Sequence, residues 1–182
     1  VRKVSILQGG VSLECKFRDI KGVLTGEQIK ELIRKKYMVS DYIDLDKQLQ
    51  VHGFDVTVAE VYELIWVGEI SFEDKALPEY KSLDGEEWTL FPGVYIVRLN
   101  EKVKLPRCIC AVVLPRSSLI RMGAQLVSAL WDAGYEGKGV LMLVVHNTIK
   151  LKKNARIGQM IFMKLAKPVK KGYDGTYKGE GI

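Results

Sequence analysis

The 182-residue chain carries 28 Lys and Arg against 22 Asp and Glu, a formal charge of +6, with 47% hydrophobic and 27% charged residues. That composition suits a single folded domain with a proper core and excludes a disordered chain. No apolar run approaches the roughly 18 to 20 residues that span a bilayer, and Val1 to Gly10 lacks the apolar stretch of a secretory leader, so a cytoplasmic protein without a membrane partner is expected.

In chain order, residues 1–20 match no recognisable pattern, and 1–24 are expected to form an amino-terminal extension. A helix signal follows. Thr25 and Gln28 form a capping-box pair, Ile29, Leu32 and Ile33 recur at helical spacing, and Arg34, Lys35 and Lys36 close the run, which predicts a helix over 25–36. Short apolar or alternating runs at 48–58, 93–99, 107–114, 139–146 and 156–163, divided by Gly, Pro, Asn and Asp, predict strands. Residues 69–90, rich in Asp and Glu, read as an exposed excursion between strands. From Lys167 the glycines at 172, 175, 179 and 181 predict a flexible carboxy-terminal tail, 167–182, leaving 25–166 as the folded domain. Several strands without helix-length patterns between them give an all-β class, a sandwich, jelly roll or barrel, with one or two short helices.

Three cysteines make no disulfide framework, and two histidines supply no usual zinc cage. Cys108 and Cys110, two apart on a predicted strand, are expected to share a face as buried thiols. His146 reads as a satisfied structural histidine on an apolar strand. The basic runs Arg34–Lys36, Lys150–Lys153 and Lys167–Lys171 suit either a polyanionic ligand or solvated faces.

Three segments carry candidate chemistry. Pro115-Arg116-Ser117-Ser118-Leu119-Ile120-Arg121-Met122-Gly123 places a guanidinium and two hydroxyls where an apolar strand ends. A short helix starting there would make this a phosphate site, or the serines would simply cap the helix. In Trp131-Asp132-Ala133-Gly134-Tyr135-Glu136-Gly137, an acid and a ring stand three apart in a glycine turn, able to hold both against one ligand or to be only a turn. In Ala155-Arg156-Ile157-Gly158-Gln159-Met160-Ile161-Phe162, strand alternation sends Arg156 and Gln159 to opposite faces, so at least one meets a site, an interface or solvent.

In this order and at these separations, the three segments resemble the motifs of the trimeric dUTPase and dCTP deaminase superfamily, most nearly those of a dUTPase. Gly53-Phe54-Asp55-Val56 is similar to the family's first motif and Gly175-Thr176-Tyr177-Lys178-Gly179-Glu180-Gly181 to its mobile fifth. The resemblance implies a distorted jelly-roll or β-clip barrel, assembled as a homotrimer with active sites shared between subunits. It also implies Mg²⁺-dependent hydrolysis of dUTP to dUMP and pyrophosphate, by water attack on the α-phosphate. Asp132 then resembles the carboxylate that polarises the water, and Tyr135 the ring under the deoxyribose. Arg116, Ser117 and Ser118 match the phosphate-binding motif and Gln159 the glutamine at the α-phosphate or the water. Asp55 corresponds to the aspartate that reaches the metal through water, and it could equally be structural. Tyr177 stands where an aromatic covers the base. The fifth motif's usual basic residue and Ser-Thr pair are absent, with Lys178 as a candidate replacement.

The deaminases of this superfamily carry an extra acid on the strand after the Gly137 equivalent, at Met142 or Val144 here. No Asp or Glu occurs between Gly137 and Asp174, so hydrolysis is preferred. Arg121 resembles a residue of the deaminase branch, and backbone groups between Gly123 and Tyr135 are the expected readers of uracil. Two rivals stay open: a dCTP deaminase, alone or bifunctional, recruiting Glu136 or Glu180, and a noncatalytic nucleotide- or nucleic-acid-binding protein on the same fold. The hydrolase has no obligatory nucleic-acid partner.

Overall fold

The computed structural model describes residues 21–35 and 37–182. Residues 1–20 of the expected extension and the predicted helix end at Lys36 lie outside the described residues. The capping box sets helix α1 (Gly26–Arg34): the Thr25 hydroxyl accepts the Gln28 N–H while the Gln28 side chain accepts the Thr25 N–H at 3.0 Å, and Ile29 and Leu32 are buried. Next come β1 (Met38–Ser40), a one-turn α2 (Leu45–Gln48), β2 (Leu49–Gln50) and the long β3 (Gly53–Ile65). The run 48–58 predicted as one strand is therefore split, because a turn at Val51 and His52 folds β2 back onto β3.

The segment 69–90 is more ordered than its charge suggests. It forms the hairpin β4 (Glu69–Ile70) and β5 (Lys75–Ala76), then β6 (Glu79–Ser82), which pairs with the far end of β3, and then β7 (Glu87–Leu90). Trp88 and Leu90 alternate inward along β7 while the acids stay outside, so composition masked the strand period.

The remaining elements are β8 (Gly93–Leu99), β9 (Lys102–Lys104), β10 (Ile109–Pro115), α3 (Ser117–Arg121), β11 (Ala124–Val127), β12 (Glu136–Gly137), β13 (Val140–Val145), β14 (Ile149–Lys152) and β15 (Arg156–Lys164). The main sheet runs β10-β15-β3-β8-β13-β11 with antiparallel pairing throughout. After β11 the chain brings Trp131 back to Ala111, and their backbones exchange hydrogen bonds of 2.8 and 2.9 Å. The two edges nearly meet, so the sheet curls into the expected barrel and leaves little edge exposed. Its interior is filled by alternate residues such as Phe54, Val97, Leu143, Met160 and Phe162.

Two cysteine and histidine expectations change. Cys108 is buried just ahead of β10, whereas Cys110 is only half-buried, on the face opposite Ile109 and Ala111. The two thiols are not a shared-face pair, because the strand begins between them. His146 is exposed one residue beyond β13, with its Nε2 3.3 Å from the Gln125 amide. Among the described residues no helix is long and apolar enough to cross a membrane.

Phe162 is fully buried beside Met160 on β15. Phe162→Ala should cost about 3–5 kcal/mol, read as a lowered denaturant midpoint in an equilibrium unfolding titration.

Candidate functional site

One cluster forms where β3, β15 and the end of β10 lie side by side. Along β3, Phe54, Val56 and Val58 point into the barrel and Gly53, Asp55 and Thr57 to the other face. That second face is covered too, so Asp55 is only 2% exposed and must be partnered. Its Oδ2 receives Arg116 Nε at 3.2 Å and Arg156 Nη1 at 3.3 Å. Arg156 Nη1 also donates to the Lys47 carbonyl at 2.7 Å, and Arg116 Nη1 to the Arg156 carbonyl at 3.4 Å. Burial pushes the Asp55 carboxyl above its ordinary value, against the pull of the two guanidiniums. Two cations share one anion, so with the carboxylate ionised this corner carries one net positive charge, and both guanidiniums keep about a third of their side chains in solvent.

Register explains how the strand feeding this cluster works. A β-bulge between Arg156 and Gly158 places Ile157 and Gly158 both inward and pairs Arg156 with Thr57 and Gln159 with Asp55. Strict alternation sends Arg156 and Gln159 apart; the extra residue of the bulge returns both to the Asp55 face. Gln159 lies over Gly53, where any Cβ would sit 2.9 Å from its Cγ. Arg116 begins α3, and neither Ser117 nor Ser118 caps that helix. Both serines and Arg121 are exposed. Gly123, at φ +85°, closes the following hairpin, its carbonyl accepting the His146 and Asn147 N–H groups at 2.8 and 3.2 Å.

A second cluster surrounds the turn at Asp132. The Tyr135 N–H donates to the Asp132 carbonyl at 3.0 Å, and Gly134 takes the φ of +90° that the turn requires. The turn brings the exposed Asp132 to the rim of a cavity of about 270 Å³, walled by Trp131, Tyr135, Tyr173, Tyr177 and Glu180, with Leu77 and Tyr80 from the segment after the β4–β5 hairpin. Tyr135 stands edge-on to Trp131, ring centroids 5.1 Å apart, and against Tyr173 at 5.7 Å. Burial raises the Tyr135 hydroxyl far above the ordinary tyrosine range, so it stays neutral. Burial likewise raises Glu180, opposed by Arg98.

The tail expected to be a flexible lid is seated here on its own chain. Tyr173 N–H donates to the Ala133 carbonyl at 2.9 Å, Gly179 N–H to Glu136 at 2.8 Å, and the Glu180 carbonyl accepts Lys138 N–H at 2.7 Å. Tyr177 meets Lys75, whose Nζ lies 3.1 Å from the phenol oxygen and 4.5 Å from the ring centroid. Lys178 turns to Asp174 at 3.4 Å and does not line the cavity.

The two clusters are separate within one chain. The Trp131–Ala111 bridge puts Asp132 beside Cys110, six residues up the chain of β10 from Arg116, or roughly 20 Å of extended strand.

A family described as dCTP deaminase-like matches residues 23–165. This chain belongs to that family. A relative from Archaeoglobus fulgidus, named "Probable deoxyuridine 5'-triphosphate nucleotidohydrolase", is 46% identical over 165 residues, covering 88% of this chain and 98% of the relative. A deoxyuridine 5'-triphosphate nucleotidohydrolase from Methanocaldococcus jannaschii is 39% identical over 140 residues, covering 74% of this chain and 89% of its own. The crystal structure of a 2'-deoxycytidine 5'-triphosphate deaminase from Agrobacterium tumefaciens shares the fold, with a TM-score of 0.63 at 22% identity over 79% of this chain and 48% of that one.

Within this dCTP deaminase-like barrel, the predicted residues thus fall into two groups: Asp55, Arg116, Ser117, Ser118 and Gln159 in one, Asp132, Tyr135 and Tyr177 in the other. Sequence reasoning left Arg156 without an assigned role and overlooked Gln48 and Glu101 as partners of the first group. Nothing in the local sequence marks Glu101; its complete burial and its bonds to Gln48 and Thr57 reveal it.

A Cβ at Gly134 would stand 2.6 Å from the Gly172 Cα and 2.9 Å from the Tyr173 nitrogen. Gly134→Ala should therefore unseat the tail, appearing as faster tryptic cleavage at Lys170 and Lys171 under native conditions; an unaltered digestion rate would contradict this packing.

Proposed function

We propose that the protein hydrolyses dUTP to dUMP and pyrophosphate, with Asp132 as the base that takes a proton from the water attacking the α-phosphorus. The observation that carries this reading is Asp132 on a hydrogen-bonded turn at the rim of an aromatic cavity, three residues from the ring of Tyr135. A carboxylate that is exposed to water at the rim of a substrate cavity is a competent general base. The ring of Tyr135, which lines the cavity, is then the surface that packs under the deoxyribose and rejects a 2′-hydroxyl. The names of the relatives from Archaeoglobus fulgidus and Methanocaldococcus jannaschii favour the same substrate.

The triphosphate belongs on the other cluster, where Arg116 and Arg156 carry the uncompensated positive charge, flanked by the free hydroxyls of Ser117 and Ser118 and by Gln159 for the α-phosphate or the water. Because the two clusters lie far apart on one chain, the complete site joins Arg116 of one subunit to Asp132 of a neighbour, in a homotrimer. Exposed apolar side chains around the Arg116 segment, Leu114, Ile120 and Met122, support burial of this surface against other copies.

Magnesium fits this chain as a companion of the substrate. Among the described residues no three His, Cys, Asp or Glu side chains gather into a cage. Mg²⁺ prefers to keep water and bind phosphate oxygens, a demand met by the triphosphate itself; Asp55, 2% exposed and shared by Arg116 and Arg156, fits the structural one of its two expected roles. When bound, the ion screens the phosphate charge; the chain's own residues orient the substrate and move the proton.

The rival readings fare less well. Strand β13 presents Met142 and Val144 where a deaminase carries its acid. Glu136 is held ionised by hydrogen bonds to Lys102 and Lys104 at 2.8 and 3.3 Å, so it is a poor proton shuttle. Glu180 alone of the two proposed substitutes lines the cavity. As for nucleic acid, Lys152 and Lys153 pair with Glu87 and Glu86, and Lys171 with Asp174, which dilutes the basic runs.

Incubation with each deoxynucleoside triphosphate should give pyrophosphate from dUTP, no ammonia from dCTP, and loss of turnover on chelation that Mg²⁺ restores. Asp132→Asn should lower kcat by about 10²- to 10⁴-fold with KM little changed. Failure of the wild-type chain to turn over dUTP would refute the proposal.

A further inference from the structure

Glu101, in the turn between β8 and β9, is wholly buried, and among the described residues no cation pairs with it. Donors that belong to the phosphate-facing side of the barrel satisfy it instead. Its Oε2 accepts the Thr57 N–H at 3.0 Å; its Oε1 accepts the Thr57 hydroxyl at 2.6 Å and the Gln48 Nε2 at 2.7 Å. Burial pushes its carboxyl up, and these hydrogen bonds draw it back.

The same Gln48 amide nitrogen donates to the Asp55 carbonyl at 2.8 Å. Glu101 therefore grips β3 on both sides of Val56, directly through Thr57 and through Gln48 at Asp55. The other end of the Gln48 amide accepts the Ile43 and Asp44 N–H groups at 2.8 and 2.9 Å, tying down the start of α2. One residue before Gln48, the Lys47 carbonyl is the 2.7 Å acceptor of Arg156. Both side-chain and backbone acceptors that aim Arg156, and the carboxylate that aims Arg116, thus sit on segments pinned by one buried carboxylate. Thr57 is held in turn by the Asn100 amide at 2.9 Å, so the network closes on the turn that carries Glu101.

We propose that Glu101 is a positioning residue for triphosphate binding: acting through Gln48, Thr57 and Asp55, it presets the Arg116–Arg156 pair before substrate arrives. The inference rests on the reading that this pair holds the phosphates. A carboxylate already braced on both strands spares the substrate the cost of ordering two long side chains, so its effect lies in binding rather than in the chemical step.

The test uses the full chain in steady-state hydrolysis of dUTP, with inorganic tripolyphosphate as a competing anion and circular dichroism to count folded protein. Glu101→Gln, and independently Thr57→Val, should raise KM for dUTP and the inhibition constant of tripolyphosphate about tenfold, with kcat within about threefold of wild type. Thr57→Ser, which keeps the hydroxyl, should restore both constants. Arg116→Lys serves as the reference: if it weakens tripolyphosphate while Glu101→Gln and Thr57→Val do not, the positioning role is overturned and the phosphate reading stands. If Arg116→Lys leaves tripolyphosphate inhibition unchanged, the phosphate reading itself falls, and the inference with it. Loss of activity that only tracks loss of folded protein in both Glu101→Gln and Thr57→Val also overturns the proposal.

Discussion

The Asp55 carboxylate is shielded from water and shared by two guanidiniums, and the arrangement of the candidate site follows from that. A buried charge without partners is severely unfavourable, so the strands around it must deliver cations to one atom. β15 delivers Arg156 by inserting a bulge, and β10 delivers Arg116 by ending where it does. Register among three strands is thereby tied to an electrostatic requirement, beyond the apolar packing of Phe54, Met160 and Phe162 on the opposite face. The surplus positive charge is then a by-product of geometry, and it faces outward.

The acid of the second cluster works under opposite conditions. Asp132 lies at a rim, open to water, on a turn whose shape depends on a glycine with positive φ. Its neighbours are rings, and the cations of the first cluster stand a strand's length away. One carboxylate is buried and paired with cations, the other exposed at the rim of a cavity. Placing them on separate parts of the barrel keeps the guanidiniums from neutralising the acid within the same chain.

Local signals were the legible ones. The Thr25–Gln28 box needs only contacts three residues apart, and the strand 93–99 needs only its own alternation; both appear as expected. What stayed hidden depends on distant partners. Arg156 changes face because of a bulge that no composition announces, and Glu101 looks like a solvated acid until Thr57 and Gln48 are folded over it. The acidic stretch 69–90 concealed strands because its charges occupy outward positions of a sheet edge. α2 was missed because four residues are too few to show a period.

The tail is moored to 133–138 chiefly through peptide groups, Tyr173 to Ala133, Gly179 to Glu136 and Lys138 to Glu180. Such a mooring prescribes the path of the chain while leaving its lettering largely open. A terminus that keeps its glycines and an aromatic residue can therefore swap most of its other side chains and still arrive at the same place.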